Sequence, residues 1–202
     1  MIISKYAQVL LLMGLITSAT GCAVLIPVAA TTTAGGIALS DRSTGEIVDD
    51  TSIVTKIKTE FARSDYNNLL TKISINAYEG RVMLTGTLKS QSYVDEAVKI
   101  SWSIHGVKEV INELVIAETP KNKALDLWIS SQIKTKFLLE KNFDSLNYSY
   151  DVNDQVVYLI GVAKSQDEMD RSLNIASSVS SVSRVVNYVI LKTDYRRSKE
   201  MK

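Results

Sequence analysis

Ile53, Val54, Ile57 and Phe61 are apolar at helical spacing, which predicts a helix over residues 50–63 with Asp50 or Thr51 as N-cap candidates. Residues 72–78 then alternate apolar and polar, Glu79-Gly80 turns, and residues 81–88 alternate again, which predicts a hairpin. Val94, Ala97, Val98 and Ile104 restore helical period over residues 90–104, Gly106 ends that helix, and residues 107–117 read as a last strand. The whole order then recurs. Ile53, Ile57 and Phe61 match Ile129, Ile133 and Phe137 at an offset of 76, and Val82, Leu84 and Gly86 match Val157, Leu159 and Gly161 at 75. Ser90-Gln91 matches Ser165-Gln166, and Ile100, Val107, Val110 and Asn112 match Ile175, Val182, Val185 and Asn187. The chain therefore holds two copies of one α-β-β-α-β domain, joined near Thr119-Pro120-Lys121. A hairpin followed by a helical crossover predicts an α+β fold: in each copy a small three-stranded mixed sheet with two helices packed on one face. A domain of roughly 65 residues has a marginal core, so the copies are expected to pack on each other.

The beginning of the chain follows a different pattern. Residues 1–5 carry one positive charge, residues 7–16 are apolar apart from Gln8, and small residues lead to Cys22. A charged start, a short apolar run and a small-residue cleavage site describe a secretory signal over residues 1–21, and an apolar run of ten residues is too short to span a bilayer. Ala19-Thr20-Gly21-Cys22 resembles a bacterial lipobox, although its first position is usually Leu. That resemblance makes Cys22 the acylated first residue of the exported chain, and Ala23 behind it fits outer-membrane sorting. Residues 22–46 are rich in Ala, Thr and Gly and contain Pro27, which suits a flexible tether better than a helix.

Val82-Met83-Leu84-Thr85-Gly86 with Gly106-Val107-Lys108-Glu109-Val110-Ile111-Asn112, repeated as Val157-Tyr158-Leu159-Ile160-Gly161 with residues 182–187, resembles the BON domain. Ser181 stands where the second copy would carry the glycine. On this resemblance residues 47–118 and 119–193 are two BON domains and residues 194–202 a charged tail. The lipobox, the run Asp41-Arg42-Ser43-Thr44-Gly45-Glu46 and the two copies are together similar to the dual-domain lipoproteins of that family. The resemblance implies a lipid-anchored protein of the bacterial outer membrane, facing the periplasm. It also implies binding of anionic phospholipid and support of envelope integrity, with a place at division sites.

Composition narrows the chemistry. Of 202 residues 46% are hydrophobic, and one Cys and one His exclude a disulfide scaffold and make a His/Cys metal site untenable. Residues 41–119 hold nine basic and twelve acidic side chains, a net of −3, whereas residues 121–202 hold thirteen and ten, a net of +3. Neither half is basic enough for a nucleic-acid partner, though the second favours an anionic one. His105 sits beside Gly106 at a helix end, where a capping or solvated role is expected. The pairs Asp49-Asp50 and Asp167-Glu168 stand at helix starts, where the helix dipole accounts for them. No catalytic constellation, phosphate loop, cofactor site or small-molecule substrate site emerges, so the chain does not read as an enzyme.

The two first helices differ on their outer sides. On a wheel of about 100° per residue, Trp128 points roughly 140° away from Ile129, Ile133 and Phe137, and Leu125, Leu127, Leu138 and Leu139 lie near it. The first copy has Thr51, Ser52, Ala62 and Arg63 at the positions of 127, 128, 138 and 139, and Lys136 replaces Glu60. Two readings stay open. The patch packs against the other domain or a terminal segment, or it faces a membrane: a Trp with leucines, rimmed by lysines, is the composition of an interfacial helix. The resemblance supports the second, because the family's lipid contact maps to this helix and Asp126-x-Trp128-Ile129 matches it. Leu127, Trp128, Ser131, Lys134, Thr135 and Leu138 are then the residues presented to anionic phospholipid. Acyl chains at about 0.8 kcal/mol per CH₂ would outweigh a half-inserted Trp at roughly 2–3 kcal/mol, so Trp128 would orient the domain while Cys22 anchors it. A rival from another class uses the same patch to dock a protein, as an adaptor for the outer-membrane assembly machinery.

Overall fold

The computed structural model describes residues 44–198. The first domain runs α1 (Thr44–Asp65), a π-helical turn (Tyr66–Leu70), β1 (Ile73–Tyr78), β2 (Arg81–Leu88), α2 (Gln91–Ser103) and β3 (Glu109–Ile116). The second runs α3 (Lys123–Leu139), a 3₁₀ turn (Ser145–Asn147), β4 (Tyr148–Asn153), β5 (Val156–Ala163), α4 (Gln166–Ser177) and β6 (Arg184–Leu191), and one helical turn, α5 (Tyr195–Ser198), follows. Each sheet has its hairpin strands antiparallel and its third strand parallel to the middle one, in the orders β1-β2-β3 and β4-β5-β6. The tandem α+β architecture is the one the repeat predicts.

Two cores follow from the helical and strand periods. Ile53, Ile57 and Phe61 of α1 meet Val82, Leu84 and Leu88 of β2, and Ile129, Ile133 and Phe137 of α3 meet Val157, Leu159 and Ala163 of β5. The motif glycines have a steric cause. A Cβ on Gly86 (φ +139°) would stand 2.2 Å from the Lys72 carbonyl oxygen, and one on Gly161 (φ +157°) 2.2 Å from that of Asn147. Only a residue without a side chain lets the neighbouring strand approach that closely.

The other faces of the sheets pack on each other through a third cluster, including Met83, Ile111, Tyr158, Ile160, Val162 and Ile190. Every position of β2 is consequently buried, including Arg81, Thr85 and Thr87, where the alternating pattern predicts a half-exposed strand. Each of these polar side chains finds a partner across the junction. Arg81 donates to the Tyr188 carbonyl (2.9 Å), Thr87 to Asn153 (3.3 Å), and Thr85 donates its hydroxyl to the Asp151 carboxylate. Tyr188 donates to Glu113, and burial together with that carboxylate pushes its phenol up to about 12.

The domains end on edge strands with a shared device. The motif asparagines accept a hydrogen bond from an amide two residues on, Asn112 from Leu114 (3.2 Å) and Asn187 from Val189 (2.8 Å).

Two expectations change. The first helix begins at Thr44, not near residue 50, so Asp50 lies inside it and Thr51 donates to the Ile47 carbonyl (2.9 Å) instead of capping. The stretch read as a charged tail docks, as far as it is described. Arg197 forks onto Glu79 of the first domain at 2.9 and 2.7 Å, with the Glu79 side chain 7% exposed. A planar guanidinium matched to a buried carboxylate outweighs solvation of this short segment.

Candidate functional site: the outer face of the third helix

Three contacts fix the rotation of α3 about its axis. The Asn122 side chain caps the N-terminus by accepting from the Leu125 amide (3.1 Å). The Asp126 carboxylate, buried, accepts from the amides of Asp154 (3.0 Å) and Gln155 (2.8 Å) in the β4–β5 turn, and Tyr150 donates to the Ser130 carbonyl (2.9 Å). Beneath the helix Phe137 meets Phe143, Tyr148 and Tyr150 at ring-centroid distances of 5.0, 6.0 and 5.7 Å.

The Asp126 contact has a twin. Asp50 accepts from the Glu79 and Gly80 amides, both at 2.8 Å. Both hairpins turn on two residues of positive φ, Glu79-Gly80 (52° and 78°) and Asp154-Gln155 (50° and 66°), so each turn aims both amides at one helix carboxylate. Such turns favour Gly or Asn, and the carboxylate stabilises the Asp-Gln version that lacks them. The helix-dipole account of Asp50 is thereby replaced. Glu168 departs from its expectation in the same way: it is buried and accepts from the Tyr148 hydroxyl (2.8 Å), whose pKa rises through burial first and that carboxylate second. Asp167 stays exposed and pairs with Arg171 (3.1 Å), and His105 is exposed at its helix end.

With the inner face so fixed, the outer face of α3 is left largely open. Leu127 is 72% exposed, Trp128 44%, Leu138 65% and Leu139 76%, and Ser131, Lys134 and Thr135 are exposed among them. Leu125 does not belong there; it is half-buried against the second core. Ser131 donates to the Trp128 carbonyl (2.7 Å) and Thr135 to the Ser131 carbonyl (3.0 Å), so both hydroxyls are satisfied within the helix. Lys123, Lys134 and Lys136 are exposed, and the only carboxylate on α3 is the buried Asp126. On α1 the matching face carries Thr51, Thr55 and Thr59 bonded to its own backbone, and Arg63 paired with Glu60 at 2.6 Å.

Sequence reasoning missed two features. Trp102 of α2 is 50% exposed where the second copy has Ser177. A groove of about 660 Å³ also runs between the domains beside α3. Lys58, Lys72 and Ile73 line it from the first domain, and Lys123, Leu127 and Asp151 from the second. No sequence period signals it, because its walls come from two copies.

Cys22, the signal and residues 22–43 of the tether lie outside the described residues, while residues 44–46, read as tether, form the start of α1. Among the described residues no helix is long and apolar enough to cross a membrane, and no group of His, Cys, Asp and Glu could hold a metal.

Known proteins are similar to this chain in sequence. An Anaplasma centrale protein, "Uncharacterized protein in gshII 5'region", is 36% identical over 148 residues, 72% of this chain and 96% of its own length. The osmotically-inducible protein Y of Escherichia coli is 33% identical over 153 residues, 73% of this chain and 75% of its own. The outer membrane lipoprotein DolP of Haemophilus influenzae is 24% identical over 190 residues, 92% of this chain and 96% of its own. The family model of the BON domain matches twice, over residues 49–118 and 125–193, and this chain belongs to the BON domain family.

Proposed function

We propose that this chain is a lipid-anchored envelope protein whose second domain lays the outer face of α3 on anionic phospholipid. Acylated Cys22 holds it to the inner leaflet of the outer membrane, facing the periplasm, and the contact supports envelope integrity, including at division sites. The carrying observation is the contrast between two copies of one helix. The copy in the second domain exposes Leu127, Trp128, Leu138 and Leu139 beside lysines with no exposed carboxylate, and the copy in the first does not. The relative named as an outer membrane lipoprotein, which the chain matches over nearly its full length, supports the location.

The division of labour follows from magnitudes. Sinking the exposed part of Trp128 removes about 100 Å² from water, roughly 2–3 kcal/mol at about 25 cal/mol per Å². Each lysine at an anionic surface adds about 1 kcal/mol. Two acyl chains exceed both terms together, so α3 orients the domains and selects lipid rather than anchoring them. In this reading the chain carries no reaction and needs no cofactor.

Co-sedimentation of the protein without its acyl group tests this. It should bind vesicles containing phosphatidylglycerol, bind neutral vesicles weakly, and lose about 50-fold with Trp128→Glu, since about 1.4 kcal/mol corresponds to tenfold. A Trp128→Glu variant that binds as tightly as the parent sinks the proposal. No binding to either vesicle, together with salt-resistant capture of an outer-membrane assembly protein through the same face, would establish the adaptor reading instead.

A further inference from the structure

We infer that the groove between the two domains seats the phosphate-bearing headgroup of one anionic phospholipid, gripped by lysines from both domains. The inference rests on the lipid reading of α3 and adds a site to it. Lys58 of α1, Lys72 ahead of β1 and Lys123 at the start of α3 line a single groove of about 660 Å³, within the range of ligand sites. All three are exposed, and none of their ammonium groups forms an ion pair or hydrogen bond among the described residues. The arginines Arg63, Arg81, Arg171 and Arg197 are by contrast paired with Glu60, Glu109, Asp167 and Glu79. Three unpaired ammonium groups around one concavity leave a positive field that a phosphate diester complements.

The groove is built rather than incidental. The Lys72 carbonyl sits over Gly86 where no Cβ could stand, which fixes the backbone bearing that lysine. Lys123 lies one residue past the capping Asn122. The half-buried groove carboxylate Asp151 is engaged, accepting from the Thr85 hydroxyl across the junction. Asp126 on the same wall is tied to the turn amides. Leu127 belongs both to the groove and to the exposed face of α3, so a lipid lying along that face reaches the lysines with its head. The first domain then acts in lipid selection through Lys58 and Lys72.

The test uses the full acylated chain reconstituted in phosphatidylcholine vesicles with or without phosphatidylglycerol. Brief lysine acetylation is read by mass spectrometry. Lys58, Lys72 and Lys123 should acetylate about fivefold more slowly on the anionic vesicles, the factor expected of a lysine held at an anionic surface. Exposed Lys99 should not change. The double variant Lys58→Gln/Lys72→Gln should return Lys123 to its rate on neutral vesicles and leave Lys134 and Lys136 slow. If Lys134 and Lys136 slow while Lys58 and Lys72 do not, the groove is refuted and the α3 reading stands. If no lysine slows, both fall. Equal protection by glycerol phosphate on neutral vesicles would assign the groove to a soluble phosphate ester and overturn the lipid assignment.

Discussion

Replacing Asp126 by alanine removes the acceptor for two amides at once, and its cost can be worked from the geometry. The carboxylate is 7% exposed and holds the Asp154 and Gln155 amides at 3.0 and 2.8 Å. Hydrogen bonds to a charged acceptor contribute about 1.5–3 kcal/mol each. The turn is half-buried, so its freed amides recover some hydration, and Asp126→Ala should cost about 3 kcal/mol. For a chain of this size that corresponds to a melting temperature roughly 6–12 °C lower. Asp126→Asn keeps one acceptor oxygen and should lose about half as much. Thermal unfolding followed by circular dichroism reads the shift, and amide exchange localises it to the β4–β5 turn. Asp50→Ala should reproduce the effect in the first domain, because Asp50 makes the same pair of bonds. Should Asp126→Ala melt within about 1 °C of the parent, with turn amides exchanging no faster, the carboxylate would not be holding the hairpin and the reasoning would fail.

Other outcomes follow from the same structure. Gly86→Ala places a Cβ 2.2 Å from the Lys72 carbonyl at φ +139° and should destabilise by more than about 3 kcal/mol, visible as loss of a cooperative melt. Asp151 has its carboxyl raised above the ordinary 3.8 by burial, so the folded state holds its proton more tightly than the unfolded state. Stability from this group is full at pH below 3.8 and is lost as pH rises through the raised value. Asp151→Asn should therefore be more stable than the parent at neutral pH and flatten the pH dependence above 3.8 in denaturant titrations. Arg197→Ala leaves the buried Glu79 carboxylate without its fork and should lower stability by about 2 kcal/mol, measured by urea unfolding; Arg197→Lys should recover only part, because a single ammonium cannot bond both oxygens.

What the sequence makes legible is whatever a local period encodes. The repeat, the strand order and the inward positions Ile129, Ile133 and Phe137 follow from spacing alone, and the outward position of Trp128 follows from them by difference. Contacts between residues distant in the chain carry no such signature. Asp50 reads as a helix-start carboxylate because its partners are 29 and 30 positions away. Thr85 and Thr87 read as the wet side of a strand because a polar residue in alternation looks the same whether water or a second sheet covers it. Leu125 falls near Trp128 on the wheel, yet the start of α3 dips towards the second core. The groove lysines are silent for the same reason: Lys58, Lys72 and Lys123 belong to no shared period and meet only when the two copies dock.

The motif asparagines have a consequence for assembly. An open sheet edge invites another strand, including one from a second copy of the same chain. Asn112 and Asn187 occupy an amide of β3 and β6, so a strand added there must first break a bond the molecule already makes, a penalty of about 1 kcal/mol at each edge. Repeated along a growing stack, that toll discourages fibre formation while leaving the helix faces free. Higher-order structures of this chain are thus steered towards contacts that side chains specify, and away from continuous sheets that would lock it irreversibly to its neighbours.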